Sequence, residues 1–218
     1  MKLVIINGSP RGKASNSEVI ANWIATALDK SIEVDKYYTA KITTQREAVT
    51  AVDNNSTILV IFPLYVDAMP GVTKLFFEEL ELVANRKENV KMYFIVHSGF
   101  MGAKHSRAVE KYLTYLSEYL GFEYMGTAIK PSSEGIRLMP ENTMLDIKND
   151  FVELSKDISK GIEFNRNTLK SLAGFELPPE EFKTGIKESN GETGYFSYLL
   201  NQNNAFDKRY DKPYKRSK

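Results

Sequence analysis

Cysteine is missing from the 218 residues altogether. Disulfides, thiolate nucleophiles and Cys-ligated zinc or iron–sulfur clusters are therefore excluded. Histidine is nearly missing: His97 and His105 are the 2 present, too few for a His-rich metal site. No metal centre is expected, and any redox chemistry belongs to a bound organic cofactor. An excess of charge is missing too. Lys and Arg number 29 against 28 Asp and Glu, a formal net charge of +1. Such a balance exerts no overall pull toward nucleic acid or membrane. The longest early apolar run, Leu3 to Ile6, is far too short for a signal-peptide core. No stretch approaches the ~20 apolar residues of a membrane span. A soluble cytoplasmic protein is the expectation, with no nucleic-acid or membrane partner.

The remaining composition is ordinary for a globular chain, with 42% apolar and 26% charged residues. At ~100–200 residues per domain, the length fits one large domain, or one domain with an appendage. It is enough to bury a real core.

Hydrophobic patterning alternates between two kinds. Leu3–Ile6 is continuously apolar, as in a strand covered on both faces. Val19, Ile20, Trp23, Ile24, Ala27 and Leu28 then fall on one helical face. Ser31–Tyr38 reads as a weaker strand and Ile42–Val52 as a short helix. Thr57–Phe62 is a strong strand, followed by a helix marked by Val72, Leu75, Phe76, Leu80 and Val83. Met92–Val96 is the fourth strand. Its helix carries Val109, Tyr112, Leu113, Leu116 and Leu120 and closes at Gly121, where a C-cap glycine is expected. Phe122–Ile129 and a helix marked by Ile147, Phe151, Leu154 and Ile158 complete the series. This β-then-α alternation predicts a doubly wound α/β domain over 1–160, a flavodoxin-like three-layer sandwich. The expected five-stranded parallel sheet has the order 2-1-3-4-5. Residues 161–218 form a C-terminal extension richer in Gly, Pro, Asn and charge. Its apolar clusters, Leu172–Leu177 and Tyr195–Leu200, are expected to dock on the domain or on a partner subunit. Its last stretch, Asp207–Lys218, carries six basic and two acidic residues. A solvated, frayed terminus suits that stretch better than a nucleic-acid contact.

In such a sheet, ligands bind beyond the carboxyl ends of the strands, where strand order reverses. The loop after strand one, GSPRGKASNS, meets a helix N-terminus whose backbone amides and dipole favour an anion. Ser9, Ser15, Asn16 and Ser17 add polar groups there, and Arg11 adds a positive charge. Two readings fit: a phosphate site, or a helix closed by a Ser15–Glu18 capping box that needs no ligand. The loop has neither the GxGxxG spacing nor the GKS/GKT ending of nucleotide motifs. The loop after strand three, PLYVDAMPG, places apolar Leu64, Tyr65 and Val66 after Pro63, where polar residues are usual. These residues either wall a flat aromatic ligand or pack beneath the loop. In HSGFMG, after strand four, Ser98, Gly99 and Gly102 allow close backbone approach. Phe100 or Met101 is placed to cover one face of a ring. His97 is open to a structural or a titrating role, and His105 to a surface or capping one. Glu134 and Arg137, after strand five, are open to pairing, to a subunit contact or to a place beside the site.

Taken together, the three loop sequences resemble the NADPH-dependent FMN reductase-like family of the flavodoxin-like superfamily. The resemblance covers residues 1 to about 160. It implies an FMN phosphate held by Ser9, Arg11, Ser15, Asn16 and Ser17. It implies a flavin ring between Pro63, Leu64, Tyr65 and Val66 on one side and Ser98, Gly99 and Phe100 on the other. It also implies a homodimer with the flavin near the subunit interface. The cysteine-free sequence excludes the iron–sulfur branch. The implied activity is that of an FMN-dependent NAD(P)H oxidoreductase. NADPH or NADH is the donor, and a small molecule such as a quinone, flavin, azo or nitro compound is the acceptor. The flavin carries this chemistry, so no catalytic side chain is named. The alternative is a flavodoxin-type electron carrier without its own NAD(P)H turnover. Such carriers are usually strongly acidic, and +1 argues against one. A flavin-free binding module is the third reading.

Overall fold

A computed structural model describes residues 1–182, 184, 195–212 and 214. Five strands form a single parallel sheet: β1 Lys2–Asn7, β2 Glu33–Tyr38, β3 Thr57–Pro63, β4 Lys91–His97 and β5 Glu123–Lys130. Their order is β2-β1-β3-β4-β5, the flavodoxin-like arrangement expected from the sequence. The connecting helices are α1 Asn16–Ala27, α2 Ile42–Ala51, α3 Gly71–Ala84 and α4 Arg107–Tyr119. After β5 come α5 Leu145–Lys160 and the short α6 Arg166–Ala173.

The continuous apolar strands follow from helices on both faces of the sheet. Side chains alternate across a strand. Leu3 and Ile5 of β1, with Leu59 and Ile61 of β3, therefore meet Ile20 and Ile24 of α1 and Phe151, Leu154 and Ile158 of α5. Val4 and Ile6, with Ile58, Val60 and Phe62, turn the other way, toward Ala48, Phe76, Leu80 and Leu113. These are helices α2, α3 and α4. β2 lies at the sheet edge and is only half-buried, which explains its weak sequence signal.

The first compact unit runs from Met1 to Leu177. Residues just past α5 are anchored on it. The Phe164 N–H donates to the Met125 carbonyl at 3.0 Å, and the Tyr93 hydroxyl donates to the Ile162 carbonyl at 2.7 Å. Phe164 and Leu172 are buried in the α1–α5 core. Beyond α6, the N–H groups of Ala103 and Lys104 donate to the carbonyls of Phe175 and Glu176 at 2.9 and 3.1 Å. The second unit, Pro178–Lys218, contains α7 Tyr195–Gln202. Within it, the Arg209 guanidinium lies 3.9 Å from the centre of the Phe206 ring. Part of the basic C-terminal run, residues 213 and 215–218, lies outside the described residues. Among the described residues, no helix is long and apolar enough to cross a membrane.

Candidate functional site

The carboxyl ends of β1, β3, β4 and β5 carry four loops joined into a rim. Loop one meets α3 where the Thr73 hydroxyl donates to the Gly8 carbonyl at 2.6 Å. The β3 and β4 loops approach where His105 Nδ1 lies 3.7 Å from Asp67 Oδ1. The β4 and β5 loops are joined by two bonds of 2.8 Å, from Ser132 N–H to Phe100 O and from Ser133 N–H to Ser98 O. Asn16 closes the rim back to α1. Its Nδ2 donates to Ser133 O at 2.8 Å, and its Oδ1 accepts from Arg137 N–H at 3.1 Å.

At the first loop, the side chains and the backbone have separate tasks. Ser15 is the N-cap of α1. Its Oγ accepts from Glu18 N–H at 3.2 Å and donates to Gly12 O at 2.6 Å. Half of the expected capping box is present. The Glu18 carboxylate does not return to Ser15. It accepts from Asn7 Nδ2 at 3.0 Å, Lys36 Nζ at 2.7 Å and the Tyr38 hydroxyl at 3.1 Å. Burial and this carboxylate push the Tyr38 phenol up to about 12. Ser9 Oγ is buried and accepts from Arg11 N–H at 3.3 Å. Ser17 Oγ is fully buried against His97 Nε2 at 2.8 Å. The hydroxyls of Ser15 and Ser17 and the Asn16 amide are thus engaged within the protein. Their backbone N–H groups are not. Those of Ser15, Asn16 and Ser17 meet no acceptor among the described residues, and exposed Arg11 has no ion pair there. Unpaired amides at the end of a 12-residue helix beside a free guanidinium suit a phosphate.

The β3 loop divides between core and surface. Pro63 ends β3 opposite His97, and Leu64 is buried in the α3–α4 core. Leu64 N–H also donates to His97 O at 2.8 Å. Tyr65 and Ala68 exchange backbone hydrogen bonds of 2.9 and 3.0 Å around a two-residue turn. Both turn residues are left-handed, Val66 with φ 50° and Asp67 with φ 56°. A β-branched residue is strained in that region, and Val66 is also 98% exposed. Neither Val66 nor Asp67 uses its N–H within the protein among the described residues.

Across the rim, Phe100 is partly exposed and stacks on His105, with ring centroids 4.0 Å apart. Gly99 is exposed, and a Cβ there would fall on the Glu134 carboxylate. Ser98 is buried, and its Oγ has no hydrogen-bond partner among the described residues. A buried hydroxyl is rarely left unsatisfied without a ligand or water. His97 is buried, and desolvation lowers its imidazole to about 4, so the ring is neutral at pH 7. These loops stand out in the sequence, but the Asn16 contacts, the Ser17–His97 bond and the Glu134–Gly99 contact do not. The hydrogen bonds among these join residues at least 80 positions apart, which no local motif can show.

Unpaired amides, a free arginine, an orphaned Ser98 hydroxyl and open apolar walls fit a flavin mononucleotide. The 2-1-3-4-5 sheet puts them at the strand-order switch, where ligands of flavodoxin-like folds bind. The sequence profile described as NADPH-dependent FMN reductase matches residues 1–133, and the chain belongs to that family. It is an NAD(P)H-dependent flavin oxidoreductase with FMN as its cofactor. No curated protein matches it by sequence. Solved structures share the fold at low identity. An apo NADH:FMN oxidoreductase superposes with a TM-score of 0.54 at 15% identity, covering 83% of this chain and 98% of the other. An NADPH-quinone reductase from P. pentosaceus gives 0.52 at 12%, covering 73% and 98%. A general stress protein 14 from Treponema denticola, in complex with FMN, gives 0.52 at 13%, covering 72% and 98%.

Proposed function

We propose that this chain passes electrons from NADPH or NADH, through FMN, to a small organic acceptor such as a quinone, a free flavin or an azo or nitro compound. The observation that carries the reading is the pairing of two unlike ends on one rim. One end offers unpaired amides and Arg11. The other offers Tyr65, Val66, Phe100 and Met101 as exposed apolar surface. Bound FMN supplies the hydride and electron chemistry. The protein binds and orients. Arg11 and the N–H groups of Ser15, Asn16 and Ser17 hold the phosphate, with Ser9 shaping the loop. Pro63 and Leu64 seat the β3 loop from beneath, and Tyr65 and Val66 wall the ring. The N–H groups of Val66 and Asp67 are free to bond the ring's polar edge. Ser98, Gly99 and Phe100 close the other side. The open rim lets a flat aromatic acceptor stack where the donor has left.

A homodimer in the cytoplasm belongs to the same proposal. The outer faces of α3 and α4 expose Leu75, Leu82, Tyr112, Tyr115 and Tyr119 beside a groove of about 340 Å³. A monomer rarely leaves so much aromatic surface to water without a partner, and light scattering reads the mass directly. We treat residues 1–160 as the flavin domain and 161–218 as an accessory extension.

The deciding experiment adds FMN to the purified protein, removes free flavin by desalting and records the visible spectrum. Retained flavin that is bleached anaerobically by NADPH or NADH, and restored by a quinone, supports the proposal. Retained flavin that neither nicotinamide bleaches would instead make the chain an electron carrier.

A further inference from the structure

A buried chain of four polar groups crosses the floor of the rim, and every donor in it has one acceptor. The Ser133 hydroxyl donates to the Ser98 carbonyl at 3.0 Å. Its single proton is then used, so toward His97 Nδ1, 3.0 Å away, it can only accept. Nδ1 therefore carries the proton of a neutral imidazole. Nε2 is left as an acceptor, and it faces the Ser17 hydroxyl at 2.8 Å. The direction is Ser17 O–H to Nε2, Nδ1–H to Ser133 Oγ, and Ser133 O–H to the Ser98 carbonyl. Ser17, His97, Ser98 and Ser133 are each at most 4% exposed, so water does not compete.

The ends of this chain belong to different parts of the site. Ser17 lies in the first turn of α1, beside the unpaired amides. Ser98 begins the loop that carries Gly99 and Phe100. Ser133 precedes Glu134, whose carboxylate lies against Gly99. We propose that His97 is a positioning residue: its imidazole locks the β4 and β5 loops onto the N-terminus of α1, so that the phosphate end and the ring end of the flavin site form one frame. This inference rests on the FMN reading for its ligand, but the frame is present in the protein alone. His97 touches no reacting atom in this account. It acts through Ser17 and Ser133.

Two measurements on the flavin-free full chain test the frame. The first is the 15N spectrum of the imidazoles, with His105→Gln to assign the 2 rings. A protonated Nδ1 and a bare Nε2 are expected at neutral pH, and the opposite tautomer or a charged ring overturns the chain. The second is amide hydrogen exchange in Ser17→Ala. Among the described residues the Ser17 hydroxyl hydrogen-bonds to His97 and reaches the β5 loop through it, so exchange at the Ser133 amide should quicken by about tenfold or more. Unchanged protection there would refute the proposal.

Fluorescence titration then reads the consequence for the ligand. Ser17→Ala and Ser133→Ala are each expected to raise the FMN Kd by about tenfold, the order of one buried hydrogen bond. The double variant should be no worse than the weaker-binding single, because both cuts interrupt the same path through His97. His97→Asn keeps a donor toward Ser133 and loses Ser17, so adding Ser17→Ala to it should change nothing. Fully additive effects, or unchanged Kd in folded variants, would overturn the role of His97. Wild-type protein that shows the expected tautomer and exchange yet binds no FMN would instead refute the flavin reading and confine the proposal to the frame.

Discussion

The two ends of the rim solve opposite problems. At the α1 end, Ser15, Asn16 and Ser17 direct their side chains inward to protein partners and leave their amides unpaired. At the ring end, Leu64 is the inward residue, while Tyr65, Val66 and Phe100 hold apolar surface in water. A phosphate is small, charged and always the same shape, so fixed backbone dipoles suit it. A ring that must meet changing partners needs an open apolar wall. The first end is hydrogen-bonded and polar; the second is exposed and, at Val66, strained.

That contrast can be broken where the ends are joined. Burial holds His97 neutral in the folded protein, near 4, against an ordinary value of 6.5. Between these values the unfolded chain binds the extra proton, so stability rises with pH through the window and is flat above it. Acidification from pH 6.5 to 4 should cost roughly 3 kcal/mol at this one residue. Urea melts of wild type and His97→Gln across that range read the difference, and parallel pH profiles would count against it.

A smaller effect sharpens the contrast at the phosphate end. Arg11→Ala should weaken FMN binding by about 1.5–3 kcal/mol, the range for a charge-assisted hydrogen bond. Riboflavin, which lacks the phosphate, should bind the variant as it binds wild type. Equal losses for both ligands would move Arg11 to the ring.

The ring end should answer differently. Val66→Gly removes an L side chain from a left-handed turn while giving up no burial, and should stabilise the flavin-free protein by about 1 kcal/mol. FMN and riboflavin should both bind more weakly, having lost the same wall. Calorimetry and fluorescence titration together check this, and a stabilised variant with unchanged flavin affinity would take Val66 out of the site.

The smallest effect belongs to the segment behind the β4 loop. Glu176 accepts from Arg107 Nη2 at 2.5 Å and from Nε at 3.1 Å. These hydrogen bonds hold the Glu176 carboxyl below its ordinary value. The pair is partly exposed, so Glu176→Gln should cost no more than ~1 kcal/mol at neutral pH. The carboxylate's contribution is present above its ordinary 4.5 and fades as pH falls below it. Thermal melts at pH 7 and pH 3 should show the variant and wild type converging.

The contrast also accounts for what could be read from sequence. Strands such as Thr57–Phe62 announce themselves because a continuous apolar run needs cover on both of its faces. The three loops follow from their place after such strands. The tasks of individual side chains do not. Ser15 looks like a cap and is one, whereas Glu18 is drawn to Lys36 and Tyr38 on β2. The Ser17 hydroxyl turns to the floor of the rim, because its partner arrives from β4. The segment from Ile162 to Leu177 lacks a long periodic run, yet Phe164 and Leu172 fill the core. Leu172 opens the short apolar cluster that the sequence marks, whereas Phe164 stands alone between polar residues and shows no pattern.

The contact between Gly99 and Glu134 links two positions 35 residues apart in the chain. Any side chain at 99 would evict the carboxylate, and the flexible end of Glu134 could swing away without unfolding the protein. The two positions are therefore one inherited choice. Lineages that keep an acid at 134 over the rim should keep glycine at 99, and those that enlarge 99 should have surrendered the acid. Along this family's history, the charge at the mouth of the rim would change in paired steps.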